Sequence, residues 1–189
     1  MKTWSGGDAP LADGVGTVDL LDLVVVPGRT VRYGCFGSTT WTVLHHSMLT
    51  QLIWLRAGFP LEKATYAAVH DLHETYTGDI TTPIKGLIRE AAAALGAKGD
   101  PLRAVETQFD ARIYEALCLE PPDPETVWRV KLCDDVAKVV EGWFFGPPGA
   151  DCLADMPEER RAQVREIIGR AFPGMAEVRV ERESFVGRR

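Results

Sequence analysis

From about Thr39 onward, apolar residues return at steps of three and four, the period of an α-helix. His46, Leu49, Thr50, Ile53, Trp54 and Ala57 mark a first stripe, and Gly58 ends it. A second helix is predicted from about Leu61 to Thr75, with a break at Gly78. Pro83 opens a third that runs through Ala94 and ends near Gly96. Asp100-Pro101 reads as an N-cap followed by proline at the first helical position. Behind it, Leu102, Val105, Phe109, Ile113 and Leu117 form one stripe. Asp123-Pro124-Glu125 repeats the start signal, and that helix continues to about Phe145, where Pro147-Pro148-Gly149 stops it. Pro157-Glu158-Glu159 opens a last helix, which ends near Phe172-Pro173-Gly174.

The ends of the chain are less regular. Val24-Val25-Val26, before the Pro27-Gly28 turn, reads equally as a strand or a short helix. Beyond Met175, Val178, Val180 and Phe185 alternate with charges, as in a strand or a loose end. Strand signals are otherwise scarce. The expected fold class is all-α: one domain over residues 1–189, with an irregular N-terminal segment (1–38) and a C-terminal tail (175–189).

Composition supports a folded domain. Of 189 residues, 46% are hydrophobic and 25% charged, enough for one well-buried core. Lys plus Arg total 21 against 27 Asp plus Glu, a net charge of −6. That balance argues against a stable nucleic-acid partner or a membrane surface. No run reaches the roughly 18 apolar residues that span a bilayer. The first residues, Met1-Lys2-Thr3-Trp4-Ser5, lack a signal-peptide apolar core, so a cytoplasmic protein is expected. Cys35, Cys118, Cys133 and Cys152 form no Cys-x-x-Cys pair. Cys118 and Cys133 fall in helical patterns and are expected to be reduced core thiols.

The chemistry concentrates in one region. All four histidines (His45, His46, His70 and His73) fall between positions 45 and 73. In His70-Asp71-Leu72-His73-Glu74, a continuous helix would put Glu74 four residues from His70 and three from Asp71, so that all three face one pocket. His73 reads as structural. A further acid is expected from the segment Lys131–Lys138. Asp135 is four from Lys131 and three from Lys138, a solvated ion-pair face. Asp134 shares its face with Val127, Val130, Ala137 and Glu141. A carboxylate there must be ion-paired or bind a metal, so it is the better ligand candidate, beside the reading of a buried salt-bridged Asp. Trp4, Trp54, Trp128 and Trp143 read as core or interface. His-Glu-x-x-His, the P-loop and Gly-x-Ser-x-Gly are absent, which leaves zincin proteases, P-loop hydrolases and serine hydrolases without support.

Three stretches together resemble the HD-domain metal-dependent phosphohydrolases, and within them the bacterial 5′-deoxynucleotidases and phage HD-domain dATP triphosphohydrolases. They are Trp41-Thr42-Val43-Leu44-His45-His46-Ser47, then His70-Asp71 through Glu74, Tyr76, Gly78-Asp79-Ile80 and Pro83-Ile84-Lys85, and finally Lys131 to Glu141. The resemblance implies a compact helical HD-domain bundle with His46, His70, Asp71 and Asp134 as metal ligands. It implies Glu74 and Asp79 as the catalytic acids that handle the attacking water and the leaving group. It also implies Lys85 and Arg32 as phosphate contacts, with Trp41 lining the nucleotide pocket. His45 stands where the family carries Glu or Gln, and its role is open. Tyr33 stands near a family Trp that favours deoxyribose, so the sugar preference is open too.

Two imidazoles and two carboxylates suit a divalent ion such as Mn, Co, Zn, Ni or Fe, with Mg less natural. The implied function is hydrolysis of the 5′ phosphoester of a small (deoxy)nucleotide, as a 5′-nucleotidase on dNMPs or a triphosphohydrolase on a dNTP such as dATP. A cyclic-nucleotide or oligonucleotide phosphodiesterase and a non-catalytic nucleotide-binding module are the alternatives. A homo-oligomer is expected, with Trp143-Phe144-Phe145 able to seat a partner.

Overall fold

A computed structural model describes residues 2–10, 16–33, 40–145, 153–154 and 156–175. Cys35, Cys152, the Pro147-Pro148-Gly149 stop and the tail beyond Met175 lie outside the described residues. Among those described, the fold is all-α. The elements are α1 (Leu20–Val25), α2 (Val43–Arg56), α3 (Ala64–Val69), α4 (Glu74–Thr77), α5 (Thr82–Ala94), α6 (Pro101–Ala116), α7 (Pro124–Phe144) and α8 (Glu158–Ala171). Two isolated β-bridges, Lys2 to Asp8 and Val31 to Thr42, are the only extended pairings among the described residues. No helix among them is long and apolar enough to cross a membrane.

Where a start signal is strong, the helix begins at it. The Asp100 carboxylate accepts from the Leu102 and Arg103 amides, and Asp123 accepts from Thr126. Each satisfies backbone donors that the first turn leaves open, and each is followed by proline, whose fixed φ suits that position. Gly58, Gly78 and Gly96 stand at positive φ just past α2, α4 and α5, a backbone region that glycine enters without penalty. Val24 and Val25 close the short helix α1.

The expected helix over 61–75 is not continuous. A 3₁₀ turn (Leu61–Lys63) leads into α3, which ends at Val69. From there Leu72, Glu74, Thr75 and Tyr76 each donate to the carbonyl three residues back. Such bonds tighten the winding to about three residues per turn, so side chains three apart eclipse. Asp71 is thereby brought beside Glu74, with carboxylate oxygens within 4.8 Å of each other.

The chain packs as two compact units. The first comprises Met1–Ser47 with Val69–Pro122, and the second Met48–Ala68 with Asp123–Arg189. In the first, Leu23, Leu72, Phe109 and Ile113 form the core, and α5 packs on α6. In the second, α7 packs on α8, and the core includes Ile53, Trp54, Leu132, Val136, Val164 and Ile167. Trp54 is fully buried, its indole N–H donates to the Pro60 carbonyl at 2.8 Å, and Phe59 meets it edge-on. Trp4 and Trp128, by contrast, are about half exposed.

Two expectations need correction here. Cys133 is a buried core thiol whose pKa burial pushes up to about 12. Cys118 is not: it follows α6 at a φ of 54° and is exposed, because the helix has already ended there. Asp135 is not on a solvated face. Lys131 holds it at 2.9 Å and Arg160 of α8 at 2.8 Å, and its side chain is 13% exposed.

Removing the Trp54 ring leaves a void that the second unit's core cannot fill. Trp54→Ala is expected to cost about 3–5 kcal/mol in chemical denaturation, against less than about 0.5 kcal/mol for Trp128→Ala.

Candidate metal centre

Three ligand-type side chains meet in the first unit. His46 comes from the first turns of α2, and His70 and Asp71 from the tightened turn after α3. The His46 Nε2 lies 3.4 Å from Asp71 Oδ2, and the His70 Nε2 lies 3.3 Å from the same oxygen. The two imidazoles tilt against each other with centroids 5.2 Å apart. His46 is completely buried and His70 and Asp71 are partly so, and their donor atoms all fall within 4.8 Å of one another.

This donor set fits a divalent ion of the borderline class. Two donors each about 2.1 Å from one ion stand roughly 3.0–3.4 Å apart, the spacing seen at Asp71. A buried imidazole aimed at a carboxylate and a second imidazole is the arrangement that such an ion needs.

The tight turn is what makes adjacency work. Neighbours on an α-helix diverge by about 100°. Here His70 and Asp71 nonetheless bring Nε2 and Oδ2 to 3.3 Å. Arg32 reaches the same oxygen from another direction, with Nη1 at 3.7 Å. Arg32 is buried, and its backbone is tied down because its amide donates to the Trp41 carbonyl at 2.8 Å. The same backbone pairing delivers Trp41 to the start of α2.

His45, whose role the sequence left open, belongs to that start. The Thr42 amide donates to His45 Nδ1 at 3.2 Å, and the Thr42 hydroxyl lies 2.8 Å from the same nitrogen. The imidazole takes the place that Glu or Gln takes in a capping box. It also stacks on Trp41, with centroids 4.9 Å apart.

Glu74 opens α4 directly beside this cluster, with a carboxylate oxygen within 4.8 Å of Asp71's. It is 5% exposed, and its Oε2 is buried with no hydrogen-bond partner. Burial, and then the charges of Asp71 and Asp79, push its pKa up to about 8 against the opposing pull of Arg32 and Lys85. A carboxyl tuned to that range can exchange a proton near neutral pH. Asp79 follows Gly78 in the loop after α4 and is partly exposed.

Beside Glu74 lies a cavity of about 80 Å³, lined by Thr77, Gly78, Ile80, Lys85, Leu102, Val105 and Glu106 as well. Lys85 reaches it from α5, and its Nζ donates to Glu106 at 3.0 Å. His73 is held by Asp110 at 2.9 Å, and it also offers a ring nitrogen within 4.8 Å of Asp71 and Glu74 carboxylate oxygens. Glu106 and Asp110 went unnoticed in the sequence. Their signal was there: two acids one turn apart, each next to a residue of the Val105–Phe109 stripe.

Asp134 belongs to the second unit, where it is buried on α7. Its Oδ2 accepts from Lys131 at 2.7 Å and from Lys138 at 2.6 Å. Both lysines are a turn away on the same helix, so the charge is compensated locally.

No protein-family model matches the chain, and no curated protein matches it. Among solved structures, the cyanophage S-2L HD phosphohydrolase DatZ, bound to dA and one catalytic Zn2+ ion, is similar. The TM-score is 0.49 and the identity 20%, over 79% of this chain and 96% of that one.

The raised Glu74 pKa has a consequence for the metal-free protein. The folded state holds this proton more tightly than the unfolded chain does, so the contribution to stability is fully present below the ordinary 4.5 and is lost as pH rises through about 8. Glu74→Gln removes that loss. Melting curves in chelator at pH values from about 5 to 8.5 should show wild-type Tm falling relative to the variant. Parallel curves would refute the assignment.

Proposed function

We propose that the chain is a metal-dependent phosphohydrolase that cleaves the 5′ phosphoester of a small nucleotide. The observation that carries this reading is the convergence of His46, His70 and Asp71 beside a buried Glu74 whose Oε2 has no hydrogen-bond partner. Asp134 is the further carboxylate ligand of this reading. That role is supported by the sequence resemblance and by the burial of its carboxylate on a largely apolar helix face.

When bound, a divalent ion supplies Lewis-acid polarisation of a phosphoryl oxygen and acidifies water. The chain's own residues do the rest. Glu74, ionised once a cation offsets the neighbouring carboxylates, would accept the proton of the water that attacks phosphorus, and its lack of a hydrogen-bond partner at Oε2 leaves that oxygen available. Asp79 returns a proton to the leaving 5′ oxygen. Lys85 and Arg32 offset phosphate charge, which matters in a chain of net charge −6. Trp41 offers an aromatic face to the base. Both dNMPs and dNTPs such as dATP fit these roles, because either presents an α-phosphate.

The deciding experiment incubates the purified protein with Mn, Co, Zn or Mg and a panel of (d)NMPs and (d)NTPs, and separates the products. Nucleoside plus phosphate identifies a 5′-nucleotidase, and nucleoside plus triphosphate a triphosphohydrolase. No turnover with any metal leaves a non-catalytic binding module. Among variants, Asp71→Ala is expected to lose both metal and activity. Glu74→Ala should keep the metal and lose at least about 100-fold in turnover. Asp134→Ala should lose metal while Asp135→Ala keeps it, as read by metal analysis of the purified proteins. The reverse pattern would transfer the ligand role to Asp135.

A further inference from the structure

Lys85 does not face the cavity alone. Its ammonium is bound by the Glu106 carboxylate at 3.0 Å, and both side chains line the same space. Glu106 is fixed by more than the lysine. Its Oε2 lies 3.9 Å from Arg103 Nη1, and its Oε1 lies 4.0 Å from His73 Nε2. His73 is in turn anchored through Nδ1 by Asp110. The Glu106 side chain is 15% exposed and that of Lys85 is 24% exposed, so solvent and salt screen the pair only in part.

A carboxylate oxygen and a phosphate oxygen make the same kind of charge-assisted hydrogen bond to an ammonium. One lysine carries one positive charge, so the two anions compete for it. We propose that Glu106 is a positioning residue that occupies Lys85 in the free protein and thereby sets the affinity for phosphate. This rests on the reading that Lys85 is the phosphate contact. Glu106 keeps Arg103 and His73 when Lys85 turns to a phosphate, so it is not left as an isolated anion. Glu74 is the other acid lining the cavity.

The test titrates inorganic phosphate calorimetrically into the full chain in chelator, with Glu106→Gln, Lys85→Ala and the double variant alongside. Glu106→Gln keeps the side-chain shape and removes the charge. It is expected to bind phosphate about threefold to fivefold more tightly than wild type, the worth of a partly exposed pair. The gain should vanish in the Lys85→Ala background. Equal or weaker binding by Glu106→Gln, including no detectable binding by either protein, overturns the proposal. So does a gain of the same size without Lys85, because Glu106 would then repel phosphate directly. Should Glu106→Gln fail to fold, Glu106→Asp, one methylene shorter, releases the lysine with the charge retained and is held to the same outcomes. Metal-dependent turnover is measured separately. Its absence defeats the catalytic reading, while the titration still reads the competition at Lys85.

Discussion

The first unit is governed by the cost of crowding carboxylates out of water. Asp71, Glu74 and Asp79 stand within a few residues of one another, and Glu74 is nearly inaccessible. Like charges at close range in a poorly solvated site cannot all remain ionised without compensation. The fold answers this in three ways. Asp71 gathers Arg32, His46 and His70 around one oxygen. Glu74 holds its proton to about pH 8. Asp79 is placed past Gly78, where solvent reaches it. A divalent cation would relieve the same crowding, so the strain of the metal-free arrangement and the fitness for metal have one cause.

The backbone serves that electrostatic problem. An α-helix through residues 70–74 would spread His70 and Asp71 to either side of a groove. The run of i to i+3 bonds winds the chain more tightly and aligns Asp71 with Glu74. This winding brings Glu74 beside Asp71, and Gly78 at a φ of 73° then ends α4 and turns the chain toward Asp79. The pairing of Thr30 and Arg32 with Val43 and Trp41 is the other backbone device, since it brings the guanidinium to Asp71 from outside the turn.

Most helices were legible because their ends carry local chemistry. Asp100-Pro101 and Asp123-Pro124 state a helix start within two residues, and the caps form where the sequence puts them. The break after Val69 was not legible. Nothing between His70 and His73 is a helix breaker, and the choice between winding three and four residues per turn is made by what the side chains must reach. The grouping of His70, Asp71 and Glu74 could be read from spacing because either winding leaves Asp71 and Glu74 on one side. Cys118 and Asp135 were misread for a shared reason. Periodicity assigns a face, but it does not say where a helix stops or which neighbour, here Arg160, closes over that face.

Long-range polar pairs are the least legible part. Lys85 and Glu106 are far apart in sequence, and each taken alone reads as an ordinary exposed charge on a helix. The packing of α5 on α6 brings them to 3.0 Å at the wall of a cavity. The residues behind Glu106 then acquire meaning. Asp110 holds His73, and His73 stands 4.0 Å from the acid that holds the lysine. A lysine already satisfied by a carboxylate would be a weaker trap for phosphate than a bare one. Under the proposed reading, a weaker ground-state grip on the phosphate group is an advantage, because uniform tight binding of substrate and product does nothing for the chemical step.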